Sequence, residues 1–178
     1  MNKIIGYSFK LLGLVFCLCH LPSQAQDQKD NNYRVYAGLL YHFTKYVEWP
    51  QQKQTGDFVI GVYGDKQMVE ITQMLTKNRS VSNQKILVKK INSEADFAKC
   101  HIIFVERAFS HKFKSVQTQA KSNSILLITE GDNLAKKGAG INFIIQDERL
   151  KFEMNKAVIE GAGLKVSNEL LKLSIQVG

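Results

Sequence analysis

Three carboxylates are spaced along this chain as a ligand site would space them: Asp65, Glu106 and Glu130. Each follows closely on a short apolar run, Asp57–Tyr63, His101–Val105 or Ser124–Thr129. In an open α/β sheet the residues just past the C-terminal strand ends form the rim where ligands bind. Three acids on one rim could take a cation or a cationic ligand, and they are the candidate ligand residues. The competing reading is that Asp65 caps a helix and the others are solvated loop ends. Catalysis would ask for more than carboxylates. His42, His101 and His111 are dispersed, no serine stands in a G-x-S-x-G turn, and no H-E-x-x-H is present. The turn Gly61-Val62-Tyr63-Gly64-Asp65 sits where a dinucleotide fingerprint would. It lacks the G-x-G-x-x-G spacing, carries bulky Tyr63, and is not followed by Gly-Lys-Ser/Thr. No cofactor or metal is therefore expected, and the chain reads as non-enzymatic.

The elements that must position these residues follow from hydrophobic periodicity. From Tyr33 the positions Tyr36, Leu39, Leu40, Phe43 and Val47 repeat as an amphipathic helix, which Pro50 is expected to end at Trp49. Asp57–Tyr63, Lys85–Ile91, His101–Val105 and Ser124–Thr129 are short, continuous and rich in β-branched residues. Helical segments lie between them: one after Gly64-Asp65 carrying Met68, Val69, Ile71 and Leu75, a short turn capped by Ser93, and one over Lys112–Ala120. This order predicts an α/β fold with a Rossmann-like, mainly parallel sheet flanked by helices. Ala139–Ile145 and Arg149–Met154 around Gln146-Asp147-Glu148 predict a C-terminal antiparallel hairpin. Asn155 and Ser167 then open two short helices, the second with Leu170 and Leu171.

Residues 1–25 read as a signal peptide, with Lys3 and Lys10 flanking the apolar run Leu11–Leu21 and cleavage between Ala25 and Gln26. That run is too short to span a bilayer. A lipoprotein leader on Cys17 or Cys19 is disfavoured by the large residues Phe16 and Leu18 before them. Residues 26–32 are polar and expected to be a flexible N-terminus, and residues 33–178 a single domain. Removing the leader from 178 residues leaves about 153, enough for a sizeable core. Its two lysines take the formal net charge from +8 to about +6. The remaining positive charge is scattered rather than gathered into a basic stripe, which argues against nucleic acid. An anionic membrane surface or an acidic protein face would suit it. Of three cysteines only Cys100 stays, so no internal disulfide can form. Cys100 reads as a buried small hydrophobe, a reactive thiol being the alternative.

Several of these pieces, in order, resemble the YfiR-like family of periplasmic regulators. They are Tyr41–Pro50 (YHFTKYVEWP), Phe58–Gly64 (FVIGVYG), Cys100–Val105 (CHIIFV), Ser124–Thr129 with Gly131, Gly140–Phe143 (GINF), Phe152–Asn155 (FEMN) and Gly163–Ser174 (GLKVSNELLKLS). The resemblance implies a non-catalytic α/β domain in the periplasm. It implies a partner too, the periplasmic part of an inner-membrane diguanylate cyclase held in check, so that release raises cyclic di-GMP and favours biofilm. Similar domains fused to sensor kinases imply an alternative, a small-molecule-binding input module. Well-known members carry paired cysteines; here Cys100 matches one position and its partner is missing, so redox control does not carry over. Trp49, Leu170 and Leu171 are candidate partner contacts, against the reading that Trp49 packs inward as a lid on the core. Self-association into a homodimer is left open.

Overall fold

The computed structural model describes residues 23–178, with side chains from residue 28 onward. The leader expected over residues 1–25, with its cleavage at Ala25 and Gln26, lies outside the described side chains. The described residues fall into two units, one ending at Asn32 and the other running Tyr33–Gly178. Helix α1 spans Ser23–Phe43, so residues 26–32 have helical backbone where a flexible tail was expected. No proline interrupts this stretch, and Gln28 Nε2 donates to Asn32 Oδ1 at 3.1 Å across one turn. No described helix is long and apolar enough to cross a membrane.

The other end of α1 differs from expectation as well. The helix stops at Phe43 rather than near Trp49, because Thr44 turns both its N–H and its hydroxyl (2.6 Å) onto the carbonyl of Tyr41. Val47 is thus buried from a strand and not from the helical stripe. β1 (Val47–Glu48) pairs antiparallel with β9 (Lys165–Val166), a two-residue ladder that no sequence periodicity announces. Pro50 then opens a 3-10 turn over Gln51–Lys53.

The main sheet is built from β2 (Phe58–Tyr63), β3 (Ser80–Val81), β4 (Gln84–Lys90), β5 (Ile102–Val105), β6 (Leu126–Glu130), β7 (Ile141–Gln146), β8 (Arg149–Met154) and β10 (Ile175–Gln176). Its spatial order is β10-β8-β7-β6-β5-β2-β4-β3. β4, β2, β5, β6 and β7 run parallel, β8 returns antiparallel as the expected hairpin, and β10 lies parallel to β8. Asp147 and Glu148 both take positive φ, 52° and 58°, which gives the two-residue turn the sense that matches strand twist.

Both faces of β2, β5 and most of β6 are buried, which is why these runs are apolar without alternation. β4, next to the short edge strand β3, instead alternates buried Gln84, Ile86 and Val88 with exposed Lys85 and Lys89. Ile60, Val62, Phe104, Ile128 and Phe143 lie on one face under Tyr36, Leu40 and Phe43 of α1 and Met68 of α2 (Lys66–Thr76). α4 (Lys156–Gly161) and α5 (Asn168–Leu173) add Ile159, Leu170 and Leu171 to that layer. On the other face, Val59, Ile103, Val105 and Leu127 meet Phe97 of a 3-10 turn and Phe113, Val116 and Ala120 of α3 (Phe113–Ser122). The chain adds β4 on one side of β2 and then crosses to β5 on the other. The junction of β2 and β5 is therefore the topological switch point of the sheet.

Candidate functional site

Strand register brings the three acids together. Tyr63 pairs with Val105, and Val105 with Thr129, so these three strand ends lie side by side. Glu106 and Glu130 follow or complete their strands at that level, and Asp65 comes two residues past Tyr63. Asp65 is the N-cap of α2, its Oδ1 accepting from the Gln67 N–H at 2.7 Å. The Glu106 Oε2 accepts from the Asp65 N–H at 2.9 Å. Gly64 is needed between them, since a Cβ there would stand 2.7 Å from that same Oε2. Glu130 accepts from the Arg107 N–H at 3.5 Å, and the Arg107 guanidinium pairs with Asp132 at 3.1 Å. Both partners of that ion pair are exposed, so it adds about 1 kcal/mol at most.

Two tyrosines of α1 complete the rim. The Tyr33 hydroxyl donates to Glu106 Oε1 through a short hydrogen bond and also faces Asp65 Oδ2 at 3.3 Å. Tyr36, one turn further, donates to Glu130 Oε1 at 3.1 Å. Its ring stacks on Phe143 with centroids 4.9 Å apart and planes within 5°. Burial first, and the facing carboxylates second, push both phenols well above their ordinary pKa. Each therefore stays a donor across the physiological range. Glu106 is buried, while Asp65 and Glu130 are half-buried. The switch-point crevice is thus spanned by side chains of the chain itself, and the carboxylates hold α1 down on the sheet. Sequence reasoning named the acids and missed the tyrosines. The available signal was their i, i+3 spacing, which periodicity counts only as apolar.

The Trp49 corner is a second polar arrangement, and a buried one. Trp49 Nε1–H donates to the His101 carbonyl at 3.1 Å, and the indole meets Phe58 edge-on at 4.9 Å. His101 Nδ1 accepts from the Val59 N–H at 3.0 Å, so its Nε2–H is the nitrogen that donates to the Lys53 carbonyl at 2.7 Å. Gln84 Nε2 and the Lys53 ammonium tie the same loop to β4 and to the carbonyls of Ala98 and Cys100. Trp49, Leu170 and Leu171 are all buried, so in this conformation none offers side-chain area to a docked partner. The exposed large apolar side chains include Leu173, Ile145 and Met74 instead. Cys100 is buried, donates its S–H to the Asp96 carbonyl at 3.3 Å, and has its pKa pushed up to about 11 by burial. That thiol stays protonated and unreactive at neutral pH.

A pH prediction follows from His101. Burial, chiefly, lowers its pKa below the ordinary 6.5. The unfolded chain therefore takes up a proton before the folded one does as pH falls. The contribution of His101 is fully present above about pH 6.5 and is lost as pH drops through that value toward the lower folded one. Urea midpoints measured from pH 8 downward should fall below about pH 6.5 in the wild type, with a flatter slope in His101→Asn. Parallel slopes would sink the assignment.

The YfiR/HmsC-like family model matches residues 33–175. No curated protein sequence matches the chain. Among solved structures it is similar to a conserved domain protein from Vibrio cholerae O1 biovar El Tor, with TM-score 0.57 and 10% identity over 82% of this chain. It is also similar to the ABC domain in complex with L-Trp from Streptococcus pneumonia, with TM-score 0.49 and 13% identity over 68% of this chain. The chain spans 60% and 55% of the length of these two solved chains. The first likeness supports the α/β fold and nothing further.

Proposed function

The chain belongs to the YfiR/HmsC-like family, a family of periplasmic regulators, and we propose that it binds and restrains an inner-membrane signalling enzyme without catalysing a reaction itself. The partner in this reading is a diguanylate cyclase, engaged through its periplasmic part, so that the chain holds cyclic di-GMP and biofilm formation down. The observation that carries it is the span of the family match, residues 33–175 of a unit that runs Tyr33–Gly178. The geometry of the rim is in keeping with this. At the position where α/β domains bind substrates, the carboxylates spend their hydrogen bonds on Tyr33 and Tyr36.

Deleting the gene is expected to raise cellular cyclic di-GMP several-fold and to increase matrix production, both reversed by supplying the exported chain. A photo-crosslinker on an exposed residue such as Leu173 should capture an inner-membrane protein with a cyclase domain. Unchanged cyclic di-GMP together with no membrane protein captured would remove the reading.

A further inference from the structure

Two stretches of this chain, residues 33–47 and 71–93, contain no aspartate or glutamate. The fold brings them together at Tyr41. Arg79, just past α2, holds its guanidinium 4.4 Å from the centre of the Tyr41 ring, and the Lys45 ammonium stands 5.0 Å from the same centre. The two charges are therefore within about one Debye length of each other, roughly 10 Å at 0.1 M salt. Neither is paired with a carboxylate among the described residues, so nothing in the chain offsets their repulsion. Arg34 lies two turns before Tyr41 on the outer face of α1 and adds a third exposed cation. Lys77, the C-cap of α2, adds a fourth. Glu70 is the one acid of α2, and Lys66 pairs with it at 3.1 Å. Apolar side chains are interleaved with these cations. Val35 is 44% exposed beside Arg34, and Met74 is 52% exposed one turn before Lys77.

Cations spread over two helices fit an extended sheet of negative charge better than one small anion. Tyrosine with exposed apolar tips beside it suits the level of lipid headgroups. We propose that the outer face of α1, together with the end of α2, docks on an anionic bilayer surface. Phosphate headgroups meet Arg79 and Lys45 there, while Val35 and Met74 rest at the headgroup boundary. Each cation near such a surface contributes, and the attraction fades within a Debye length. A chain held in this way would meet a membrane partner in two dimensions rather than three. The docking itself needs no protein partner, so its test on protein-free vesicles succeeds or fails apart from the cyclase reading.

Flotation of the exported chain with vesicles of phosphatidylglycerol and phosphatidylcholine, mixed at roughly 3:7, measures the partition coefficient. Binding is expected at low salt, and pure phosphatidylcholine should bind about tenfold more weakly or less. Lys45→Gln combined with Arg79→Gln should weaken binding by about tenfold and move the thermal midpoint by only a few degrees, since both side chains are exposed. Lys114→Gln combined with Lys121→Gln removes the same charge from α3, on the other face of the sheet, and should weaken it by about twofold at most. An environment-sensitive dye on Val35→Cys should shift to the blue on the anionic vesicles, and the same dye on Thr118→Cys of α3 should not. No preference for anionic vesicles would overturn the proposal. So would equal weakening by the α3 variant, which would mark net charge alone. Release by inorganic phosphate at constant ionic strength would assign a free-anion site instead, and binding of polyglutamate without vesicle binding would assign the face to an acidic protein.

Discussion

Replacing Trp49 with alanine should lower the unfolding free energy by about 3–5 kcal/mol, the cost of emptying a large aromatic site in a core. Trp49 is 6% exposed and stands edge-on to Phe58, which itself stacks on His101 at 4.4 Å. Most of the loss comes from the apolar area and packing that the indole ring supplies. The indole N–H adds less, since the His101 carbonyl that receives it also accepts from the Leu126 N–H at 2.9 Å and would not be stranded. Trp49→Phe should therefore keep most of the stability and lose only the net worth of one hydrogen bond, about 1 kcal/mol. For a domain of this size the alanine variant corresponds to a fall of roughly 6–20 °C in the thermal midpoint. Urea denaturation of both variants checks the ranking. A Trp49→Ala chain within 1 kcal/mol of wild type that no longer binds its partner would return the residue to the surface.

Much of this fold is readable from the sequence, and the parts that are not share a cause. The strands Phe58–Tyr63 and Ile102–Val105, and the Leu126–Ile128 part of β6, are buried on both faces, so each writes itself as an apolar run. The hairpin arm Arg149–Met154 alternates apolar and polar residues in sequence. Its burial nevertheless rises along the strand from exposed Arg149 to buried Glu153 and Met154, where the Asn142 amide donates to Glu153 at 3.0 Å inside the fold. Parallel strands put their C-terminal ends on one rim, and that topology alone makes Asp65, Glu106 and Glu130 neighbours across 65 residues of chain. What stayed hidden depends on tertiary choice. The β1–β9 ladder is two residues long on each side, shorter than any period. The end of α1 at Phe43 rests on a threonine hydroxyl competing for a backbone carbonyl, a choice invisible to hydrophobic spacing. Tyr33 and Tyr36 count as apolar positions on the core stripe, and their rings do lie there. Their hydroxyls do something else, because the stripe passes directly over the switch point.

That double use gives the rim its largest measurable consequence. Glu106 is 8% exposed, and its hydrogen bonds come from the Tyr33 hydroxyl and the Asp65 N–H. Hydrogen bonds to a charged group contribute about 1.5–3 kcal/mol each, so Tyr33→Phe should cost about that much by leaving the buried carboxylate less solvated. Glu106→Ala should cost about 3 kcal/mol or more, because it takes an acceptor from two donors and opens a void beside Gly64. The double variant should be less damaged than the sum, by about 1 kcal/mol or more, since the phenylalanine no longer faces an unscreened charge. Urea midpoints for the four proteins give the coupling, and additivity within about 0.5 kcal/mol would show the contact to be incidental. Alkaline titration supplies an independent readout. The folded-state pKa of Tyr33 is raised above its ordinary value of 10, so its contribution is fully present below pH 10 and declines as pH climbs past it. Above pH 10 the wild type should therefore lose stability more steeply than Tyr33→Phe. A rim that only lined a solvated loop would titrate like free tyrosine and show no such difference. The clasp between α1 and the sheet would then rest on the Tyr36–Glu130 hydrogen bond and on the packing of Tyr36, Leu40 and Phe43.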